Sequence, residues 1–188
     1  GGQANFNPSS NQSAPLLQNV DKGDLLVTLG ATLEHPVFGQ AVGFTTQLMG
    51  ASLDYPRPTG TVQFLVDRLA LGDPVSLDAG GAALSETTAS LSVGAHTVQL
   101  DYSGDGTYRP VTVSLPSGVV VEKAAVMLTS GSFTPAGVVV GQPLAISFSV
   151  QASSPGAGQP TGRVTVAYAG GSCTAEVPDG LCELIPVY

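Results

Sequence analysis

Two cysteines are the residues whose type and spacing point most directly to chemistry. Cys173 and Cys182 lie in GGSCTAEVPDGLCEL, on either side of Pro-Asp-Gly. That tripeptide is a strong turn signal, and the residues around each cysteine read as a short strand. Two strands joined by such a turn bring the thiols within reach of each other, and a disulfide is the expected product. For so short a loop it would contribute roughly 2–3 kcal/mol. The competing reading is a pair of buried free thiols. A metal site is disfavoured, because two cysteines without a neighbouring histidine supply too few ligands. A disulfide implies an oxidising compartment.

The other chemically capable side chains are scattered. Asp101 and Asp105, with the Gly-Asp-Gly turn between Ser103 and Thr107, are weak calcium candidates, since carboxylates and carbonyls suit that ion. The same turn reads more simply as solvated chain using glycine for positive φ, so no metal is expected. Asp21, Asp24 and Glu122 are weaker candidates still, lacking the spacing of a calcium loop. His35 precedes Pro36, and His96 alternates with apolar residues. Neither has a nucleophile nearby in sequence, and the chain contains no G-x-S-x-G, phosphate-binding loop or H-E-x-x-H. No catalytic residue, enzymatic activity or cofactor is therefore expected. Tyr55, in the loop LDYPRP, and Tyr168, near AYAGG, are candidates for stacking on a sugar; packing against their own domain is the plainer reading.

The elements that position these residues are strands. Hydrophobic residues make up 43% of the 188, charged residues only 11%, a balance opposite to that of a disordered chain. The 24 Gly and 14 Pro punctuate short Val- and Thr-rich runs. AVGFTTQLM (41–49) places Val42, Phe44, Thr46 and Leu48 on one face. GTVQFLVD (60–67) does the same with Val62, Phe64 and Val66, and AHTVQLDY (95–102) with His96, Val98, Leu100 and Tyr102. LLVTLGATL (25–33), PVSL (74–77), ALSETTASL (83–91) and the VTVSL and VVV runs within 111–121 complete about seven strands. Seven short strands with a turn signal every 8–12 residues describe a sandwich of two sheets.

The formal charge is −8, with six Lys+Arg against fourteen Asp+Glu. So few cations cannot follow a phosphate backbone, which argues against nucleic acid as a partner. They cannot form a polybasic membrane patch either. No apolar run approaches the roughly 20 residues of a membrane-spanning helix, so membrane insertion is not expected.

The sequence repeats itself. VDK (20–22) matches VEK (121–123), FGQ (38–40) matches VGQ (140–142), and PTGTVQF (58–64) matches PTGRVTV (160–166), at offsets of 101 or 102. GGQANFNPSS at the start aligns with SGDGTYRP, pairing Gly2 with Gly104, Phe6 with Tyr108 and Pro8 with Pro110. A period near one hundred is the size of one such sandwich.

PTGTVQF, LGDPVSLDAGGAAL and LSVGAHTVQLDYSGDGTY together resemble the bacterial Ig-like repeats of the group-3 type, and PTGRVTV with GGSCTAEVPDGLCEL resembles their cysteine-bearing variety. Gln3 stands where that family, and this chain at Asp105, has aspartate. The resemblance implies tandem immunoglobulin-like Greek-key β-sandwiches in secreted or cell-surface bacterial proteins. It says little about a ligand.

The expected organisation is a closing strand over 1–22, a complete sandwich over 23–121, and an incomplete one over 122–188 carrying a Cys173–Cys182 hairpin. The incomplete unit leaves an apolar groove that includes Ile146, Phe148, Val164 and Val166. The opening segment, with Phe6, Pro8, Leu16, Leu17 and Val20, is the type of strand such a groove lacks. Three arrangements fit: a continuous tandem array, strand donation between copies linked head to tail, or completion within one molecule. If ELIPVY is the penultimate strand, Pro186 interrupts it. If it is instead the strand after the Pro-Asp-Gly turn, one donor strand is not enough. The expected function is that of a non-enzymatic extracellular stalk, fibre or filament whose partners are copies of itself or adjacent repeats. The alternative is an adhesin module whose end loops bind a carbohydrate or protein.

Overall fold

The computed structural model describes residues 18–52, 54–168 and 171–186. These form fifteen strands and no helix, so the described chain has no helix able to cross a membrane. Ten strands build a first unit: β1 (Leu25–Ala31), β2 (Phe44–Gly50), β3 (Thr61–Val66), β4 (Leu69–Ala70), β5 (Val75–Ser76), β6 (Ala82–Leu84), β7 (Gly94–His96), β8 (Val98–Tyr102), β9 (Val111–Ser114) and β10 (Val119–Val121). One sheet runs β1-β2-β6. The other runs β4-β3-β8-β9, with β5 also on β3, and β10 pairs β7. All these pairings are antiparallel.

The alternation seen in sequence sets which side chains face inward. Val42, Phe44 and Leu48 meet Val62, Phe64, Val98, Leu100 and Tyr102 between the sheets, and Tyr108, Val119 and Val121 close the core. Two expected strands are modified. Of 83–91 only the start pairs with β2. The Ser85 hydroxyl oxygen then accepts the Phe44 amide at 2.8 Å, standing in for a ladder bond, and the run meets the sheet again only at Thr88, which exchanges two backbone bonds with Val42. The run 95–102 breaks at Thr97, whose amide goes to the Asp67 carboxylate at 2.8 Å.

Asp67 and Arg68 make the tight turn between β3 and β4 at φ 50° and 67°. This is left-handed backbone that usually asks for Asn or Gly. Asp67 holds the turn in place from its own side chain. One oxygen accepts the Thr97 amide, and the other lies 2.7 Å from His96 Nδ1. His96 Nε2 lies 2.8 Å from the Ser92 carbonyl oxygen. With acceptors on both ring nitrogens, the buried imidazole is best satisfied as imidazolium.

The hydrogen bond to Asp67, then that to Ser92, raises the His96 pKa above 6.5, while the bonds from His96 and the Thr97 amide lower that of Asp67 below 3.8. The raised histidine stabilises fully below pH 6.5, and that contribution is lost as pH rises through its folded pKa. The depressed carboxylate stabilises above pH 3.8, and its contribution is lost as pH falls through its folded pKa. The pair therefore contributes most between pH 3.8 and 6.5. Thermal melts of the wild type should show a falling midpoint on the alkaline side of 6.5, and His96→Gln should flatten that slope. An equal slope in the variant would remove the pair from the account.

Five strands build the second unit: β11 (Val126–Thr134), β12 (Leu144–Ala152), β13 (Arg163–Tyr168), β14 (Gly171–Glu176) and β15 (Asp179–Leu184). The sheet β11-β12-β15 has the order of β1-β2-β6, and β13 pairs β14 beside it. β15 thus corresponds to β6, and Pro186 lies beyond the strand, where its carbonyl accepts the Gly141 amide at 3.0 Å. Glu183 and Leu184 thus end the strand that corresponds to β6, not a penultimate one. Among the described residues the second unit has no counterpart of β7, β8, β9 or β10.

Candidate functional site: the unit junction and the open sheet edge

The chain passes between the units through three residues. Val121 ends β10, buried in the first core. Glu122 is then bridged in parallel to Val37. Its carbonyl accepts the Phe38 amide at 2.8 Å, and its own amide donates to the Pro36 carbonyl at 2.9 Å. Lys123, Ala124 and Ala125 follow, and at Ala125 the second unit takes hold, its carbonyl accepting the Ser153 amide at 2.8 Å.

The units also touch away from this covalent link. The turn Val37–Gln40 is closed by its own side chain: Gln40 Oε1 accepts the Val37 amide at 3.1 Å. Gly39 holds φ 81°. The Phe38 carbonyl accepts the Ala157 amide at 3.1 Å. A Cβ on Gly39 would stand 2.7 Å from the Ala157 nitrogen, and one on Gly158 would stand 2.9 Å from Phe38 Cε1. Both glycines are there because two backbones and a ring meet at contact distance. Beside them is a shallow groove of about 400 Å³ bordered by Phe38, Lys123, Val126 and Gln159. His35 Nδ1 lies 3.9 Å from the Glu122 carboxylate, both exposed.

The second feature is the open face of the second unit. Of the expected groove residues, Phe148 is buried together with Val150 and Cys182, with Val164 and Val166 packed against them. Ile146 is buried on the same strand as Phe148. Leu184 is buried as well, so the second unit has five buried apolar residues where the first has twelve. β11 is exposed along its whole length, including Val126, Leu128 and Phe133. Its counterparts Leu25, Val27 and Leu29 in β1 lie against the first core, where Val111 and Leu115 also pack. One edge of β13 carries β14, while the edge that β8 occupies on β3 is vacant among the described residues.

The disulfide joins Cys173 and Cys182, with Cα atoms 5.7 Å apart. It is not in a hairpin. β14 pairs β13, whereas β15 pairs β12, so Val177 and Pro178 form a corner between sheets. Pro-Asp-Gly is not the turn, since Asp179 and Gly180 already belong to β15. Gly180 is opposite Phe148 in the ladder, and a Cβ there would collide with the Phe148 ring. The bridge therefore crosses the sandwich.

The two calcium candidates lie in separate settings. Asp101 Oδ1 accepts from the Thr112 hydroxyl at 2.7 Å on the outer side of the sheet. Asp105 Oδ1 accepts the Thr107 and Tyr108 amides, both at 2.7 Å. Its Oδ2 accepts the Thr59 amide and hydroxyl, at 2.8 and 2.9 Å. Burial opposes its charge, but the Thr59, Tyr108 and Thr107 amides outweigh that and hold its pKa at about 2. The Asp105 carboxylate staples its turn. Lys22 reaches the Asp105 carbonyl, and the Gly23 amide donates to the Thr107 carbonyl at 2.8 Å, so the start of the first unit is tied to the same turn. Phe6, Pro8, Leu16 and Leu17 lie outside the described residues, as does the Tyr168 side chain. Val20 is exposed, and Tyr55 is half exposed.

Sequence reasoning marked the V-[DE]-K junctions and read FGQ and VGQ as a repeat, but it missed the contact between the Phe38 turn and the glycines of SSPGAGQP. Comparison with known proteins adds one match: the family described as bacterial Ig-like domain (group 3) covers residues 29–122, half of the chain. No curated protein matches the chain.

Proposed function

Because the chain belongs to the bacterial Ig-like domain (group 3) family, we propose that it is a non-enzymatic extracellular spacer, one stretch of a stalk or fibre. The observation that carries this reading is the junction. Two sandwiches joined by an unconstrained linker would swing independently. Here Glu122 is pinned to Val37, three residues later Ala125 is pinned to Ser153, and Phe38 rests on Gly158. Such a joint keeps successive units in a set relation, which a spacer needs and a tethered binding domain does not. The disulfide agrees with an oxidising surrounding.

Labels at Asp73→Cys and Thr165→Cys, one in each unit, test this by pulsed spin-label distance measurement. The expected result is one narrow distribution. Gly158→Val should broaden it severalfold while the first unit's melting stays put. A broad distribution in the parent protein would reject the spacer reading.

A specific observation also favours strand complementation as the way such a fibre grows. The vacant edge of β13 and the bare face of β11 present unpaired backbone beside apolar side chains, which recruit strands. Residues 1–22 align with the last loop and closing strand of the first unit, so they would supply the closing strand of such a unit. Adhesion through end loops has weaker support. A groove of about 820 Å³ on the first unit is lined by Thr28, Thr45, Gln47, Val75 and Asp78 among others, and offers no aromatic platform for a sugar.

A further inference from the structure

The turn that caps the first unit occurs again in the second. Val139-Val140-Gly141-Gln142 repeats Val37-Phe38-Gly39-Gln40 at an offset of 102. Gln142 Oε1 accepts the Val139 amide at 3.3 Å, as Gln40 accepts that of Val37 at 3.1 Å. The Gln142 amide donates back to the Val139 carbonyl at 3.0 Å, against 2.9 Å for Gln40 and Val37. Gly141 holds φ 84°, against 81° at Gly39. In the first unit this turn is covered twice, by Glu122 alongside Val37 and by Ala157 and Gly158 against Phe38 and Gly39. In the second, Val139 is 71% and Val140 52% exposed, and a Cβ on Gly141 would meet nothing within 4 Å.

The complementary half of that joint is present at the other end of the molecule. Val20-Asp21-Lys22 precedes β1 as Val121-Glu122-Lys123 precedes β11. Val121 is buried in the unit it closes, whereas Val20 is 83% exposed. The loop carrying Tyr55 and Pro56 corresponds to the one carrying Ala157 and Gly158. Beside it lies a groove of about 250 Å³ lined by Leu26, Met49, Tyr55 and Arg57. Each molecule thus bears, on two different patches, both halves of a contact it already makes internally.

We propose that the Val139–Gln142 turn docks the first unit of a second copy of this chain, head to tail. The incoming Val20-Asp21 segment lies along Val139 as Glu122 lies along Val37, and the Tyr55–Pro56 loop sits on Val140 as Ala157–Gly158 sits on Phe38. A heterologous contact of this type does not close on itself, and repetition makes a filament. The proposal rests on the spacer reading, because it extends the internal joint to the next molecule.

A contact this small is weak without a covalent link, so the test traps it. Val140→Cys and Pro56→Cys, on separate copies, occupy the positions equivalent to Phe38 and Gly158. Mixed under mild oxidation, they should give a reducible cross-linked dimer at least tenfold above a control pairing Ser117→Cys with Pro56→Cys. Sedimentation of the wild type should show mass rising with concentration above 18.9 kDa, and Val140→Asp should abolish the rise at unchanged melting temperature. Cross-linking no better than the control, or association that survives Val140→Asp, overturns the proposal. A narrow spin-label distance within single copies together with failed cross-linking leaves the spacer reading standing and rejects the second copy as occupant, in favour of a unit joined covalently. A broad distance rejects the spacer reading itself.

Discussion

Reduction of the Cys173–Cys182 bridge will unfold the second unit and leave the first folded. The bridge closes a separation of nine residues, and loop-closure entropy assigns it about 2.7 kcal/mol. Units of this size hold only about 3–5 kcal/mol in all, and this one has five buried apolar residues beneath an exposed β11. The bridge also ties β14 to β15 across the sandwich, so its loss frees the β13-β14 pair from the other sheet. Calorimetry of the oxidised chain should show two transitions. Added reductant, or Cys182→Ser, should remove the lower one and leave the upper within about 2 °C, the first unit containing no cysteine. A single unchanged transition after full reduction would show that the bridge is not what holds the second unit.

Asp105→Ala will produce the largest single-residue loss in the first unit outside its apolar core. Four donors converge on that carboxylate, three of them backbone amides. Removing it leaves them without a partner in a partly buried turn, at a cost of about 2–4 kcal/mol. It also frees the loop that seats Tyr108, a fully buried ring whose hydroxyl donates to the Pro56 carbonyl at 2.6 Å. The melting midpoint should drop on the order of 10–20 °C. Asp105→Asn should recover part of this, since its amide oxygen can still accept from Thr107 and Tyr108 while its NH₂ faces the Thr59 donors. The depressed pKa gives a second check by its sign. Stability from this group is present above pH 3.8 and lost as pH falls towards 2, so the wild type should lose stability over that interval and Asp105→Ala should lose less. Equal acid sensitivity in both would assign the loss to other carboxylates.

Much of the first unit was legible because its strands alternate cleanly. Val42, Phe44 and Leu48, Val62 and Phe64, and Val98, Leu100 and Tyr102 are each on the inward face that their spacing predicts. The bridge between Cys173 and Cys182 was legible from their closeness in sequence. What escaped depended on pairing between distant residues. Whether β14 turns back on itself or crosses to the other sheet is decided by β12, some thirty residues earlier, which local turn chemistry does not encode. Asp67 and His96 are 29 residues apart, and each alone reads as an ordinary turn or core residue. The break at Thr97 and the early end of β6 follow from single side-chain atoms competing with the ladder, which periodicity cannot register. The joint between Phe38 and Gly158 was hidden because an exposed phenylalanine and a loop glycine are common separately.

The two parallel bridges of the first unit have a consequence for how it bears load. Gly23 is held to Tyr108 just before β1, and Val37 is held to Glu122 shortly after it. Tension drawn along the chain enters at the first bridge and leaves at the second, so it runs lengthwise along β1 and does not peel it sideways. The two backbone bonds of Glu122, to Pro36 and Phe38, then carry that load in shear and must break before β1 can be drawn out. Under steady pull such a unit stays whole for a time set by its unfolding rate and then gives way, releasing the length of chain it had held folded.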